Sequence, residues 1–148
     1  MTIEFPQITS FGTLLKFAQA LDQTAADLED QAAGLPALAE HQAPLAAMSR
    51  KHARRVGDLE RLARERLNEV VLQPLSGMAR GEYLPPTTLP DDAAGILGTL
   101  AGLEDLSARF YGDAADRAVN LLGGLDRTFK RFVKEDRKRA EALKNLAQ

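Results

Sequence analysis

The sequence has no cysteine, few aromatic residues and no long apolar run. The absence of cysteine in 148 residues excludes disulfides, thiolate zinc sites and cysteine nucleophiles. No stretch of about 18 apolar residues occurs, which predicts that no helix spans a membrane. Residues 1–6 contain neither a basic segment nor an apolar one, so we expect no secretion signal and a cytoplasmic location.

Motifs that identify common enzyme classes are also missing. The chain contains no G-x-G-x-x-G sequence and no P-loop, so no nucleotide-binding loop is predicted. Its serines have no histidine and acid at a spacing typical of a catalytic triad. The sequence therefore leaves the question of enzymatic activity open and favours a non-catalytic role.

The composition favours helices. Alanine and leucine dominate, β-branched residues are scarce, and the length suits one domain covering residues 1–148. The first helix shows the clearest three-four spacing, with Ser10 or Thr9 as its N-cap. Helices are predicted over residues 10–33, 44–72, 91–119 and 125–147.

Residues 73–90 separate the two halves of the chain. Four prolines and two glycines in these 18 residues forbid a continuous helix. A connection of this length in a small domain is typical of a crossover that runs along a bundle. Two helical hairpins joined in this way predict an all-α four-helix bundle, with the crossover between helices 2 and 3.

The two halves also repeat a pattern of polar residues set into apolar faces. Residues 20–28 align with residues 102–110, and residues 45–56 align with residues 132–143. Burying an ion costs several kcal/mol unless the ion is paired or bound to a metal. Removing one partner of a buried ion pair, for example, destabilises a protein by about 3–5 kcal/mol. The matching positions therefore predict one shared internal site, formed by Asp22, Ser49, His52, Glu104, Asp136 and Arg139.

This pattern resembles the ferritin-like superfamily, and rubrerythrin-type bundles most of all. The best match is on helix 3, where Glu104 is followed about two turns later by the pair Phe110-Tyr111. The resemblance implies a bundle with one inward carboxylate on helices 1 and 3 and an E-x-x-H motif on helices 2 and 4, which together bind two irons.

Two of the six implied ligand positions depart from that motif. Ser49 stands where the resemblance implies a glutamate, and Arg139 stands where it implies a histidine. A guanidinium cannot bind a metal ion, but it can hold two carboxylates at once. We therefore expect a degenerate di-iron site in which an internal charge cluster replaces the metal, and we expect Arg139 to contact Asp22, Glu104 or Asp136.

Two functions follow from this interpretation. The first is a non-catalytic structural or partner-binding subunit with no cofactor, which forms a homo-oligomer such as a dimer. The alternative is a protein with a mononuclear or altered iron or manganese site that handles iron, oxygen or peroxide. Its candidate metal ligands are Asp22, His52, Glu104 and Asp136.

The basic residues are concentrated in two segments. Residues 50–66 and residues 127–139 each carry seven of the 19 Lys and Arg side chains. Solvated helix faces explain such strips, since no aromatic residues are interleaved with them for stacking on bases. An unidentified protein partner is therefore favoured over nucleic acid.

Overall fold

A computed structural model describes residues 3–65, 72–119, 121 and 124–148 of the chain. Within these residues four α-helices account for most of the chain, and no strand is formed apart from one isolated bridge between Ser10 and Pro74. The helices are α1 (Phe11–Ala33), α2 (Gln42–Glu65), α3 (Ala93–Ala118) and α4 (Leu125–Leu146). The predicted all-α four-helix bundle is confirmed.

Local hydrogen bonds explain where α1 and α3 begin. The hydroxyl of Ser10 accepts from the amide of Thr13 (3.1 Å), and the hydroxyl of Thr13 accepts from the amide of Ser10 (3.0 Å). Asp92 caps α3 by accepting from the amide of Gly95 at 2.9 Å. A side chain at position 95 would meet the Asp92 carboxylate at 2.6 Å, so glycine permits this cap.

The second helix differs from its predicted bounds at both ends. Pro36–His41 forms a separate 3-10 helix, and α2 follows it directly from Gln42, with Pro44 in the first turn where a missing amide costs nothing. Residues 66–71 lie outside the described part of the chain. Leu72 lies in a turn, so the prediction that the helix reaches residue 72 is wrong there.

The apolar residues with which helix 2 is predicted to continue, Leu62, Leu67, Val70, Val71 and Leu72, predict a self-association surface, and the structure describes only two of them. Leu62 is half-buried and packs against the core, so it contributes to the interior and leaves no exposed stripe at that point. Leu72 is 76% exposed. The remaining stripe residues, at positions 67, 70 and 71, lie outside the described residues.

The bundle consists of two hairpins. Helix α1 packs along α2, and α3 packs along α4, while α1 and α3 join the two pairs. A chain of rings fills the interface between them: Phe17 stacks on Phe110, and Tyr111 contacts both Phe129 and Phe132. These rings lie beside polar side chains of the bundle centre, since the Tyr111 hydroxyl donates to Asp22 and the Arg55 guanidinium lies over the Phe132 ring.

The crossover between α2 and α3 is fixed to the bundle by side chains. Tyr83 is 1% exposed, its ring packs on Phe17 and Phe110, and its hydroxyl donates to Asp113 at 2.5 Å. Arg117 donates to the carbonyl oxygens of residues 76 and 77 at 3.0 and 2.8 Å. The only regular element of the crossover, residues 73–90, is a short 3-10 helix, Arg80–Glu82. All of these residues are described, so the predicted irregular connection is confirmed.

Candidate functional site: a buried charge cluster

Near its midpoint each helix turns polar side chains toward the bundle axis. These side chains are buried although helical spacing places them among apolar neighbours. We call the group the central cluster; its members are Asp22 and Glu29 of α1, His52 and Arg55 of α2, Glu104, Ser107 and Tyr111 of α3, and Asp136 and Arg139 of α4.

His52 lies between two carboxylates. Its Nδ1 is 2.5 Å from Asp22 Oδ1, and its Nε2 contacts Glu104 Oε1. Burial alone would lower the pKa of His52, but Glu104 and Asp22 raise it to about 10. In the absence of a metal ion the ring therefore donates from both nitrogens and carries a positive charge at neutral pH.

Arg55 connects α2 to α4. Its Nη1 donates to Asp136 Oδ1 at 2.8 Å and to Asp22 Oδ1 at 3.3 Å, and its Nη2 donates to Glu135 at 2.9 Å. The guanidinium carbon also lies 4.4 Å from the ring centre of Phe132. Burial would lower the pKa of Arg55, whereas Asp22 and Asp136 raise it, so the group stays cationic.

Arg139 makes the contact predicted from the sequence. Its Nε donates to Glu104 Oε2 at 3.0 Å and its Nη2 donates to Asp136 Oδ1 at 2.5 Å. Asp22, the third predicted partner, is held by Arg55 and His52. Two arginines, rather than the expected one, therefore neutralise the carboxylates.

The second carboxylate oxygens of Asp22 and Asp136 accept hydrogen bonds from two hydroxyl groups. Tyr111 donates to Asp22 Oδ2, and Ser107 donates to Asp136 Oδ2 at 2.5 Å. Burial would raise the pKa of Asp22, but Arg55 and His52 lower it below its usual value. Burial has the stronger effect on Asp136 and raises its pKa to about 6. Every oxygen of these two aspartates has at least one hydrogen-bond donor.

Glu29 is the exception within the cluster. It is 1% exposed, and neither carboxylate oxygen has a hydrogen-bond partner among the described residues. Its nearest oxygen lies 3.6 Å from Nε2 of His52. Burial raises the pKa of Glu29 to about 8. Of the nine cluster members, this side chain alone lacks a hydrogen-bond partner among the described residues.

Ser49 does not belong to the central cluster, which corrects its assignment from the sequence. Its hydroxyl donates to the carbonyl oxygen of Ala26 at 2.7 Å, and the residue is only half-buried. A serine hydroxyl is short enough to bond the backbone of the adjacent helix. It therefore stabilises the contact between α1 and α2, away from the bundle axis.

The residues present do not fit a di-iron centre. Asp22 and Asp136 have both oxygens occupied by donors, and Arg139 is a cation at one of the implied ligand positions. Of the four candidate metal ligands, only His52 and Glu104 belong to a group of described residues whose ligand atoms are close enough together to hold one metal ion. Their partner is Glu29, and one ligand atom from each of the three residues lies within 4.8 Å of the others.

Sequence reasoning missed Arg55 and Glu29, although spacing could have found both. Arg55 follows His52 by three residues and precedes Leu59 by four, so it lies on the apolar stripe of α2. Glu29 lies four residues after Ala25 and three before Ala32. Both residue types are usually solvated, and this expectation concealed their positions on the buried face.

A groove opens over the cluster between α2 and α4. It has a volume of about 310 Å³, and the inner side chains of its wall are Arg55, Phe132 and Arg139. The outer wall carries more positive than negative groups, namely Lys51, Arg54, Arg131 and Lys138 against Asp58 and Glu135. The groove is therefore a basic surface next to the buried charges.

Comparison with known proteins identifies no relative. No family model, curated protein or solved structure matches the chain. Within the described residues, no helix is long and apolar enough to cross a membrane.

Proposed function

We propose that this protein is a non-catalytic bundle of ferritin-like architecture that acts through its surface as a structural or partner-binding subunit. The observation that supports this proposal is the engagement of Asp22 and Asp136. Both carboxylates are neutralised by Arg55, and their remaining oxygens accept from Tyr111 and Ser107. A site built to exchange metal ions or oxygen keeps ligand positions open, and these are closed.

The partner-binding part of the proposal is supported by an uneven distribution of charge. Helix α4 carries eight Lys or Arg residues against four acidic residues, and α2 carries six against three. Helix α1 carries one against four. The groove between α2 and α4 is thus a basic concave surface, and an acidic protein segment is the partner whose charge complements it.

The absence of di-iron chemistry can be tested with Fe(II) under anaerobic conditions. We expect no more than one iron per chain after removal of unbound metal, and no oxidation of Fe(II) faster than in buffer when air is admitted. Two bound irons per chain, or rapid oxidation, would show that the arginines do not replace the metal.

The groove can be tested with two probes of different chemistry, an oligoglutamate peptide and duplex DNA. Lys51→Glu with Lys138→Glu reverses two exposed groove charges, and we expect it to abolish peptide binding. The matched control, Arg50→Glu with Lys130→Glu, makes the same charge change on the same helices outside the groove. Equal loss in both double variants would indicate non-specific attraction, and tighter binding of DNA than of peptide would favour nucleic acid as the partner.

Self-association and a cytoplasmic location are further parts of this proposal. Leu72, with 76% of its surface exposed, is the described residue that best supports an apolar contact between copies. Sedimentation velocity at high micromolar concentration should show a dimer. A strict monomer would contradict the oligomer prediction and leave the groove proposal standing.

A further inference from the structure

Glu29 presents an energetic problem that the rest of the cluster does not solve. A buried carboxylate without a hydrogen-bond donor loses its hydration, and the contact of Glu29 with Nε2 of His52, at 3.6 Å, is longer than a hydrogen bond. The residue is 1% exposed, and neither of its oxygens has a hydrogen-bond partner among the described residues. An apolar residue at this position would remove that cost, so the carboxylate needs a reason to be there.

Three side chains, including Glu29, bring possible metal-ligand atoms close together. Nε2 of His52 and one oxygen each of Glu29 and Glu104 all lie within 4.8 Å of one another. The other ring nitrogen of His52 is 2.5 Å from Asp22, and the other oxygen of Glu104 accepts from Arg139 at 3.0 Å. Such outer contacts fix the orientation of metal-binding histidines and carboxylates in proteins.

The permanent charges of the cluster leave room for a divalent cation. Four carboxylates belong to it, namely those of Asp22, Glu29, Glu104 and Asp136, and only Arg55 and Arg139 are always cationic. Two negative charges therefore remain to be balanced when every carboxylate is ionised and His52 is neutral, as a metal-binding imidazole is. One divalent cation bound at Glu29, His52 and Glu104 would balance both.

We propose that Glu29, His52 and Glu104 form a binding site for a single divalent transition-metal ion that links α1, α2 and α3. One imidazole nitrogen with two carboxylates suits Zn(II), Co(II), Mn(II) or Fe(II), whereas Mg(II) and Ca(II) prefer oxygen ligands throughout. Glu29 lies outside the six positions that the resemblance implies for a di-iron centre. The ion has a structural role, since it binds the folded state and so stabilises it.

Zn(II) binding to the full chain, first freed of metal with a chelator, tests the site directly. Equilibrium dialysis followed by elemental analysis should give one zinc per chain, and zinc should raise the melting temperature while Mg(II) should not. Glu29→Gln keeps the size of the side chain and removes the ligand, so it should fold and lose more than about tenfold in zinc affinity. Asp30→Asn makes the equivalent change at the adjacent, exposed position and should bind zinc like the parent.

Co(II) supplies a readout that identifies the histidine. The chain contains two histidines, so bound Co(II) should shift the ring-proton NMR signals of one of them. We expect that ring to be His52, and His41→Gln should leave the shifted signals in place. A shifted set that disappears in His41→Gln would place the metal elsewhere and overturn the proposal.

Two further results would overturn it. Glu29→Gln could bind zinc as tightly as the parent, or the parent could retain no metal at micromolar Zn(II). Neither result affects the proposed non-catalytic function. Conversely, two bound irons per chain would contradict the proposed function, which rests on Asp22 and Asp136. The metal proposal rests on Glu29, so the two tests can fail independently.

Discussion

The central cluster has two halves that are equally buried and differently satisfied. In the arginine half, Asp22 and Asp136 receive donors on every oxygen from Arg55, Arg139 and the hydroxyls of α3. In the Glu29 half, a carboxylate faces His52 at 3.6 Å with no hydrogen-bond donor of its own. The first half is completed by the protein, whereas the second requires either protons or a cation from solution.

The difference teaches that burial alone does not tell a structural ion network from a binding site. Both halves consist of acids at helical positions facing the axis, and the acids of both are at most 1% exposed. What separates them is the supply of permanent cations. A guanidinium spans two carboxylates in the arginine half, while the ion pair of Glu29 is with the imidazole of His52, whose charge depends on its own proton.

The largest loss of stability should come from removing Arg55, one of the two arginines of the arginine half. Arg55→Ala leaves Asp22 and Asp136 buried with fewer opposing charges, and we expect a loss of about 3–5 kcal/mol in the free energy of unfolding. Urea denaturation measures this loss. Arg61→Ala, which removes an exposed arginine paired with Asp58 on the same helix, should cost about 0–1 kcal/mol. Equal effects in the two variants would mean that Arg55 is solvated.

Arg139→Ala should rank next. The change leaves Glu104 and Asp136 with fewer donors, but Asp136 keeps its contact with Arg55 and Glu104 keeps His52. We therefore expect a loss near the lower end of the same range, about 3 kcal/mol, in a urea or thermal melt. A melt identical to that of the parent would show that this cation does not compensate the cluster.

A smaller loss should follow when a hydroxyl is removed from the arginine half. Tyr111→Phe deletes the donor to Asp22 and should cost about 1.5–3 kcal/mol, because that acceptor is a buried charge. Tyr83→Phe deletes a similar bond to Asp113, which is partly exposed and can turn to water. Chemical denaturation of both variants should therefore show the greater loss for Tyr111→Phe, and the reverse order would contradict this account.

In metal-free protein, the Glu29 half should make the free energy of unfolding depend on pH. Burial raises the pKa of Glu29 from 4.5 to about 8, so between these values the folded protein holds a proton that the unfolded chain releases. Stability therefore falls as pH rises through that interval. Charged or titratable groups facing Glu29 are His52, Glu104, Asp136 and Arg139.

Glu29→Gln removes this part of the pH dependence, because an amide does not ionise. The variant should match the parent near pH 4.5 and exceed its free energy of unfolding at pH 8, as urea denaturation at both pH values would show. His52 adds a second decline in stability from pH 6.5 to about 10, and this decline should persist in the variant. An unchanged difference between variant and parent across the whole range would mean that Glu29 is solvated.

The smallest effect should be that of Ser49→Ala, a position outside both halves. The hydroxyl makes one hydrogen bond, to the Ala26 carbonyl, so its loss should cost about 0.5–1.5 kcal/mol in the free energy of unfolding. Zinc affinity should not change. A large change in metal binding would return Ser49 to the cluster.

Much of the fold was readable because it depends on local chemistry. Three-four spacing, the caps at Ser10 and Asp92 and the prolines of the crossover are properties of neighbouring residues, and they gave helix ends within a few positions. The inward direction of Asp22, His52, Glu104, Asp136 and Arg139 was also predicted, since repetition between the halves marked these positions. Ser49 was misplaced because its hydroxyl could reach a nearby carbonyl that only the packed helices supply.

The sequence by itself determined that four amphipathic helices would meet around a core containing charges, because helical periodicity and burial cost act along the chain. Only the tertiary structure decided how those charges pair. Arg55 of α2 reaches Asp136 of α4, and Glu29 of α1 meets His52 and Glu104 of two other helices without a donor of its own. Pairing across helices depends on distances of a few ångströms between residues far apart in sequence. These distances cannot be derived from the helical spacing of the sequence.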